Sequence, residues 1–84
     1  MKIEVIEAIG SKVSTTFLGN AFEALKACGI NGKVVVVRDI KTILKYGITS
    51  TPALVINGVV MFAGKLPSAE EIIKLLQQNF STLS

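Results

Sequence analysis

The first third of the chain changes from a two-residue to a helical hydrophobic period. Residues 2–7 alternate polar and apolar side chains, with Ile3 and Val5 on one side, which predicts a half-buried strand. Ser11 is a good helix N-cap, and apolar residues recur at helical spacing after it. These residues are Val13, Phe17, Leu18, Ala21, Phe22, Leu25 and Cys28. Gly19 interrupts the helix, and a glycine there often marks close packing.

The middle of the chain predicts a strand and a short helix. Gly29 followed by an isoleucine predicts the end of the first helix. The segment Lys33–Arg38 holds four consecutive valines, which is typical of a strand buried on both faces. Asp39 then caps a helix that ends at Gly47 with the same glycine–isoleucine signal. Its expected inner face consists of Ile40, Ile43 and Leu44.

The last third predicts a hairpin followed by a helix. Two apolar runs, 53–56 and 59–63, flank Asn57–Gly58, the strongest short hairpin signal. Ser68 and Glu71 form a capping box that opens the final helix. The residues expected to face inward from it are Ile72, Ile73, Leu76 and Phe80.

The resulting order is β-α-β-α-β-β-α. The first β-α-β unit makes a parallel pair through a right-handed crossover, and the hairpin adds antiparallel strands. We therefore expect an α/β fold with a four-stranded mixed sheet and helices on both faces. At 84 residues we expect one domain over residues 1–84.

Composition favours a folded protein in the cytoplasm. Half of the residues are hydrophobic and mean hydropathy is +0.59, which argues against disorder. The longest apolar stretch, 53–63, is interrupted by Asn57–Gly58 and is too short to span a bilayer. The alternating N-terminal residues predict a strand rather than a signal peptide.

Charge and the rare residue types exclude several classes of function. The net charge is +3, but the lysines are spread along the chain and there is a single arginine, so nucleic-acid binding is not expected. The chain has no histidine and one cysteine, Cys28. These counts leave no Ser-His or Cys-His nucleophile, no thiolate or imidazole metal site and no internal disulfide.

Taken together, the chain resembles the small thioredoxin-like and glutaredoxin-like redox-active disulfide proteins over its whole length. The resemblance lies in Asp39, Tyr46–Gly47, the segment Ser50–Ala53, Asn57–Gly58 and the spacing Ser11-Lys12-Val13-Ser14. It implies a thioredoxin-like fold and thiol–disulfide exchange on protein or small-molecule disulfides, without a cofactor. A reductase would supply electrons, and the resemblance implies a monomer.

The resemblance also implies the site residues. Ser11 and Ser14 occupy the positions of the family's Cys-X-X-Cys, whose first cysteine attacks and whose second resolves the mixed disulfide. Pro52 would follow a cis peptide bond, and the backbone of Thr51 would pair with a partner peptide. Gly64 and Gly10 would complete the groove.

Two serines at both motif positions leave two explanations open. The replacement is either deliberate, made to stop oxidation, or natural in a member that lost its redox chemistry; the codons at 11 and 14 would distinguish them. Ser11 is not expected to be a nucleophile, because no histidine is present and Lys12 points elsewhere on a helix. Cys28 lies about 26 Å along the helix from Ser11, and we interpret it as a buried, inert thiol.

We therefore predict a thioredoxin-like oxidoreductase that is redox-inactive with these serines. One alternative is a redox-dead module that binds a peptide through Gly10, Thr51, Pro52 and Gly64, together with Ile9. Another is a scaffold that dimerises through a sheet edge.

Overall fold

The structure, a computed structural model, describes residues 1–8 and 15–80. Its elements follow the predicted order. They are β1 (Lys2–Ile6), α1 (Thr15–Cys28), β2 (Lys33–Val37), α2 (Ile40–Lys45), β3 (Ala53–Ile56), β4 (Val59–Ala63) and α3 (Ala69–Phe80). The predicted cap at Ser11 lies outside the described residues, as does the side chain of Phe80.

The four strands form one mixed sheet in the order β2-β1-β3-β4. β1 runs parallel to β2 and antiparallel to β3, and β3 pairs antiparallel with β4. Strand alternation divides the core between the two faces of this sheet. Ile3 and Val5 pack with α1 and α3, whereas Ile6 packs with α2 on the opposite face. The predicted mixed sheet with helices on both faces is confirmed.

The larger core lies between the sheet and the helix pair α1 and α3. Phe17 is its largest fully buried side chain, and Ile72 and Leu76 of α3 are also buried there. The smaller core is centred on Ile43 of α2, beneath which Val55 is fully buried. Burial on both faces makes β1 and β3 the interior of the fold.

The predicted caps of α2 and α3 and the predicted hairpin turn are present. The amide of Thr42 donates to Asp39, and Ser68 and Glu71 exchange backbone-to-side-chain hydrogen bonds of 3.1 Å each. Gly47 has a φ of 69°, and the next residue donates back to the carbonyl of Ile43. The hairpin turn has positive φ at both central residues, Asn57 and Gly58, as a two-residue turn requires.

Both N-terminal strands differ from their predicted burial. β1 was expected to be half-buried, but its residues from Ile3 onward are buried on both faces, including Glu4. β2 was expected to be buried on both faces, but its four valines are only half-buried. The reason is position, because β1 lies between two strands and β2 lies at the edge.

Three apolar side chains predicted to face inward are exposed instead. Phe22 is 56% exposed, Ile40 is 53% exposed and Leu44 is 69% exposed. On each helix the neighbouring positions, Ala21 and Ile43, are buried. A one-residue step rotates the side chain by about 100° around the helix, so the helix packs along a narrower stripe than its apolar pattern suggests.

Gly19 does not mark close packing, contrary to expectation. It is exposed, and a Cβ added there would meet nothing within 4 Å. Within the described ranges, no helix has the length and apolar character needed to cross a membrane.

We expect Gly19→Ala to raise the free energy of unfolding by about 0.5–1 kcal/mol, because alanine restricts the unfolded backbone and nothing opposes its methyl group. Urea unfolding followed by circular dichroism measures this change. Gly47→Ala is the control: its φ of 69° should make the same substitution destabilising by about 1 kcal/mol. A destabilising Gly19→Ala would contradict the packing seen at α1.

Candidate functional site

The described residues contain half of the predicted site. Thr51, Pro52 and Gly64 are described and lie together. Gly10, Ser11 and Ser14 lie outside the described residues, together with Ile9, so their geometry stays a prediction. The described part of the candidate site therefore consists of the end of β1, the turn at Thr51 and Pro52, and the loop that contains Gly64.

The register of β1 with β3 places the end of β1 beside Thr51 and Pro52. Ile6 is paired with Ala53, the first residue of β3. The amide of Glu7 then donates to the carbonyl of Val37 at 3.0 Å, which keeps the chain in line with the sheet after β1 ends. After β1 the chain thus leaves the sheet at the same end of the strands at which Thr51 and Pro52 lead into β3.

Thr51 and Pro52 form a fixed turn at the entrance to β3. Their peptide bond is cis, and both residues are half-buried. The amide of Gly64 donates to the carbonyl of Pro52 at 2.9 Å. Since proline has no amide hydrogen, this carbonyl is its one backbone hydrogen-bonding group. The bond joins the turn before β3 to the loop after β4.

Gly64 is required by two features of that loop. Its φ is 85°, a conformation that side chains disfavour, and a Cβ added there would lie 3.2 Å from the Cβ of Ser50. The absence of a side chain lets the two loops approach closely. The resemblance points to Gly64 as a site residue, but the sequence gives no sign that Ser50 is the residue it meets.

The loop after Gly64 is attached to α3 by a charged side chain. Lys65 lies 3.1 Å from a carboxylate oxygen of Glu71, and its ammonium group lies 5.5 Å from the ring centre of Phe62. The backbone amide of Ser68 first, and Lys65 second, hold the pKa of Glu71 below its usual value. Both side chains of the ion pair are well exposed, so its main effect is to orient the loop.

A second attachment, which sequence reasoning missed, joins the same loop to α1. The side-chain amide of Asn20 donates to the carbonyl of Pro67 at 3.0 Å, and Pro67 is fully buried. A polar residue on the half-buried side of a helix is the available signal, but its partner is 47 residues away in the chain. The loop after β4 is thus held by both α1 and α3.

A buried carboxylate, which sequence reasoning also missed, lies between β1 and α2. Glu4 is 5% exposed on the α2 face of β1, and the hydroxyl of Tyr46 donates to it in a short hydrogen bond. This hydrogen bond, followed by burial and the charge of Glu4, raises the pKa of Tyr46. Tyr46 caps the C-terminus of α2, so the pair fixes the point where the chain turns toward Thr51.

Cys28, expected to be buried, is half-buried at the C-terminal end of α1, where it packs against the larger core. Among the described residues, no group of three acidic, histidine or cysteine side chains is placed to hold a metal ion.

Comparison with known proteins agrees with this geometry. The sequence profile described as "Thioredoxin domain" matches residues 1–77. The chain belongs to the thioredoxin domain family. It is a thioredoxin-like protein of a redox family. It has a mixed sheet with flanking helices, and the proline turn lies beside the C-terminal end of β1.

Two archaeal proteins named thioredoxin are similar to this thioredoxin domain. One, from Methanothermobacter thermautotrophicus, is 37% identical over 57 residues, which is 68% of this chain and 74% of that protein. The other, from Methanocaldococcus jannaschii, is 36% identical over 53 residues, which is 63% of this chain and 60% of that protein.

We expect Gly64→Ala to disturb the groove more than Gly58→Ala, although both glycines have a φ near 85°. Each substitution should cost about 1–2 kcal/mol for the backbone conformation. Only Gly64→Ala adds a contact with Ser50, so the amide resonances of Thr51 and Ala53 should shift in its NMR spectrum alone. Adding Ser50→Gly should reverse the extra cost, and equal effects at the two glycines would contradict the close approach.

We expect the single tyrosine to titrate above its usual pKa of about 10 in the folded domain. Because the folded pKa is raised, the stability from this bond is present below the unfolded pKa and is lost as pH rises through the folded pKa. Absorbance at 295 nm against pH measures it. Glu4→Gln and unfolding in urea should each return the pKa toward 10, and an unchanged titration in Glu4→Gln would contradict the assigned cause.

Proposed function

We propose that this thioredoxin domain keeps the partner-binding groove of a thiol–disulfide oxidoreductase and lacks its chemical step. The register of Ile6 with Ala53 carries the proposal, because it brings the end of β1 to the turn at Thr51 and Pro52. In this arrangement Ser11 and Ser14 would face that turn from the start of α1.

The missing step requires two sulfurs. In an active family member, a thiolate attacks the substrate disulfide, forms a mixed disulfide and releases one substrate thiolate. The second thiolate then attacks the mixed disulfide and releases the other substrate thiol, so two electrons pass to the substrate while the protein forms its own disulfide. Serine hydroxyls do not form such bonds, and the chain's one thiol, Cys28, lies at the far end of α1.

The binding step depends on backbone rather than sulfur. An extended partner segment would add to the backbone at Thr51, between the start of α1 and the loop that holds Gly64. The hydrogen bond from Gly64 to Pro52 and the attachments at Asn20 and Lys65 support a groove that is fixed in advance. The partner class is a disulfide-containing protein or a small thiol, with a reductase as electron donor for a dithiol form.

The second candidate is a redox-dead module that binds a peptide or protein without exchanging electrons. It is favoured by the same contacts, since the described contacts that fix these loops are made by Gly64, Pro52, Asn20 and Lys65 and need no sulfur. The two candidates differ in whether the serines are the natural residues, and they share the same binding surface.

We expect the chain to be inactive in a coupled insulin-reduction assay, because Ser11 cannot form a mixed disulfide and Cys28 has no second cysteine to resolve one. A Cys28→Ser variant should give the same rate as the unaltered chain and as a blank without protein. Turnover above the blank by the unaltered chain would contradict the proposed loss of chemistry.

We expect Ser11→Cys with Ser14→Cys, made in a Cys28→Ser background, to form an intramolecular disulfide under mild oxidation without unfolding. The thiol at position 11 should have the lower pKa, because it would lie at the helix N-terminus near unpaired amides. Thiol titration by iodoacetamide against pH, read by mass spectrometry, measures both sites.

The chain offers a control with the same spacing. Ser81→Cys with Ser84→Cys places two thiols three residues apart beyond the end of α3, where neither a helix N-terminus nor the groove is expected to act. This control should show ordinary thiol pKa values and no insulin reduction. If position 14 titrates before position 11, or if the control is equally active, the assignment of Ser11 and Ser14 is wrong.

A further inference from the structure

The outer edge of β2 is a surface that the groove does not use. Within residues 1–8 and 15–80, β1 is the strand that pairs with β2, and β2 lies at the end of the sheet. Its four valines are half-buried, and its sequence contains no proline. Edge strands in monomers are usually protected by charges, prolines or bulges. In β2 the one charge is Lys33 at its first position, and the four valines that follow leave the rest of the edge open to pairing with another strand.

The hydrogen bonds of β2 show which of its backbone groups face this edge. The amide of Lys33 donates to Met1 at 2.9 Å, and the carbonyl of Val37 accepts from Glu7 at 3.0 Å. Because strand groups alternate in direction, positions 33, 35 and 37 bond to β1. The N–H and C=O groups of Val34 and Val36 therefore face away from the sheet.

The opposite edge is less suited to pairing. On β4, Val60 is paired with Val55 and Phe62 with Leu54, which leaves Met61 as an extra residue between them. A bulge of this kind bends and twists an edge strand. The extended backbone after β2 instead continues to Asp39, with a φ of −90° and a ψ of 123°.

We propose that two copies of this chain associate through β2, antiparallel about a twofold axis at Val36, to form a continuous eight-stranded sheet. This register places Val36 of one copy opposite Val36 of the other, and Val34 opposite Arg38. The outward-facing N–H and C=O groups of β2 then pair across the interface. It also places Lys33 of each copy opposite Asp39 of the other. A dimer replaces the monomer expected from the sequence.

Charge selects this register over its neighbours. With a twofold axis normal to the sheet, corresponding faces of the two copies lie on the same side. This requires paired residues to differ by an even number of positions. An axis at Val35 would place Lys33 opposite Val37, and an axis at Val37 would place it opposite Lys41. The axis at Val36 alone among these three gives two opposite-charge pairs.

The side chains at these positions are available for the pairing. Asp39 receives two hydrogen bonds from Thr42 on the same oxygen, Oδ2, at 3.3 and 2.9 Å. Among the described residues none donates to Oδ1, which can therefore accept from a lysine. Lys33 and Asp39 are both exposed. Ile40, 53% exposed and next to Asp39, would add apolar contact at each end of the interface.

The expected dimer is weak, because a single strand pair buries less than the roughly 1,600 Å² of a standard interface. Sedimentation velocity from about 10 µM to about 1 mM should show a dimer fraction that rises with concentration and falls with added salt. A chain that stays monomeric over this range overturns the proposal.

Amide hydrogen exchange at low and high concentration tests the register. Protection at Val34 and Val36 should increase with concentration, while the amides at positions 33, 35 and 37 stay protected throughout because they bond to β1. Concentration-dependent protection confined to Val59–Ala63 would place the interface on β4 and overturn the proposal.

Substitutions separate the contribution of the backbone hydrogen bonds to dimerisation from that of the charged side chains. Val36→Pro removes an outward N–H that would bond to the second copy, so it should abolish the dimer. The monomer should still fold, because proline is tolerated where an edge amide faces solvent. Lys33→Glu places like charges opposite each other twice and should weaken dimerisation about tenfold. Lys74→Glu, an equal charge change on the exposed side of α3, should leave it unchanged.

Adding Asp39→Asn to Lys33→Glu should recover most of the lost affinity, because asparagine keeps the helix cap and removes the repulsion. If Lys33→Glu and Lys74→Glu weaken the dimer equally, or if Asp39→Asn gives no recovery, the register is wrong. These charge variants decide the question even if Val36→Pro fails to fold.

Discussion

The pairing of β1 with a strand on each side determines where the other elements lie. Its parallel partner β2 requires the crossover through α1, and its antiparallel partner β3 brings the hairpin against the same strand. Because β1 is buried on both faces, each face must be covered by a helix layer. α1 and α3 cover one face and α2 covers the other, so both cores depend on this strand.

Under the proposed function, the same pairing separates the positions of the chemistry from the binding surface. The groove loops are held by backbone hydrogen bonds, by Asn20 and by Lys65, none of which involves sulfur. In the proposed function the reactive positions, Ser11 and Ser14, belong to the segment after β1. Oxygen in place of sulfur at these positions would remove the reaction and leave the described contacts of the loops unchanged, so binding and exchange would be measured separately.

A domain of this size leaves some of its apolar surface uncovered. α2 has six residues and buries one of them, Ile43, so Ile40 and Leu44 remain exposed. β2 has one strand neighbour within the described residues, and its valines are half-buried as a result. Small domains bury a lower fraction of their surface than large ones, and association is a common way to cover the remainder.

The sequence by itself determined the elements, their order and the ends marked by caps and turns within the described residues, because these depend on local chemistry. Asp39, Ser68 with Glu71, Gly47 and Asn57–Gly58 act on backbone groups a few residues away, and each lies where its signal predicted. The family followed from the same local features combined with the proline turn.

Only the tertiary structure decided which surfaces are covered. The valines of β2 and the leucine at position 44 have the pattern of buried residues, but burial depends on whether another element packs there. The buried Glu4 is acceptable because Tyr46, 42 residues away, supplies a hydrogen bond. The contacts of Ser50 with Gly64 and of Asn20 with Pro67 likewise join distant segments. A periodic pattern identifies the apolar side of an element, but the three-dimensional arrangement determines what covers it.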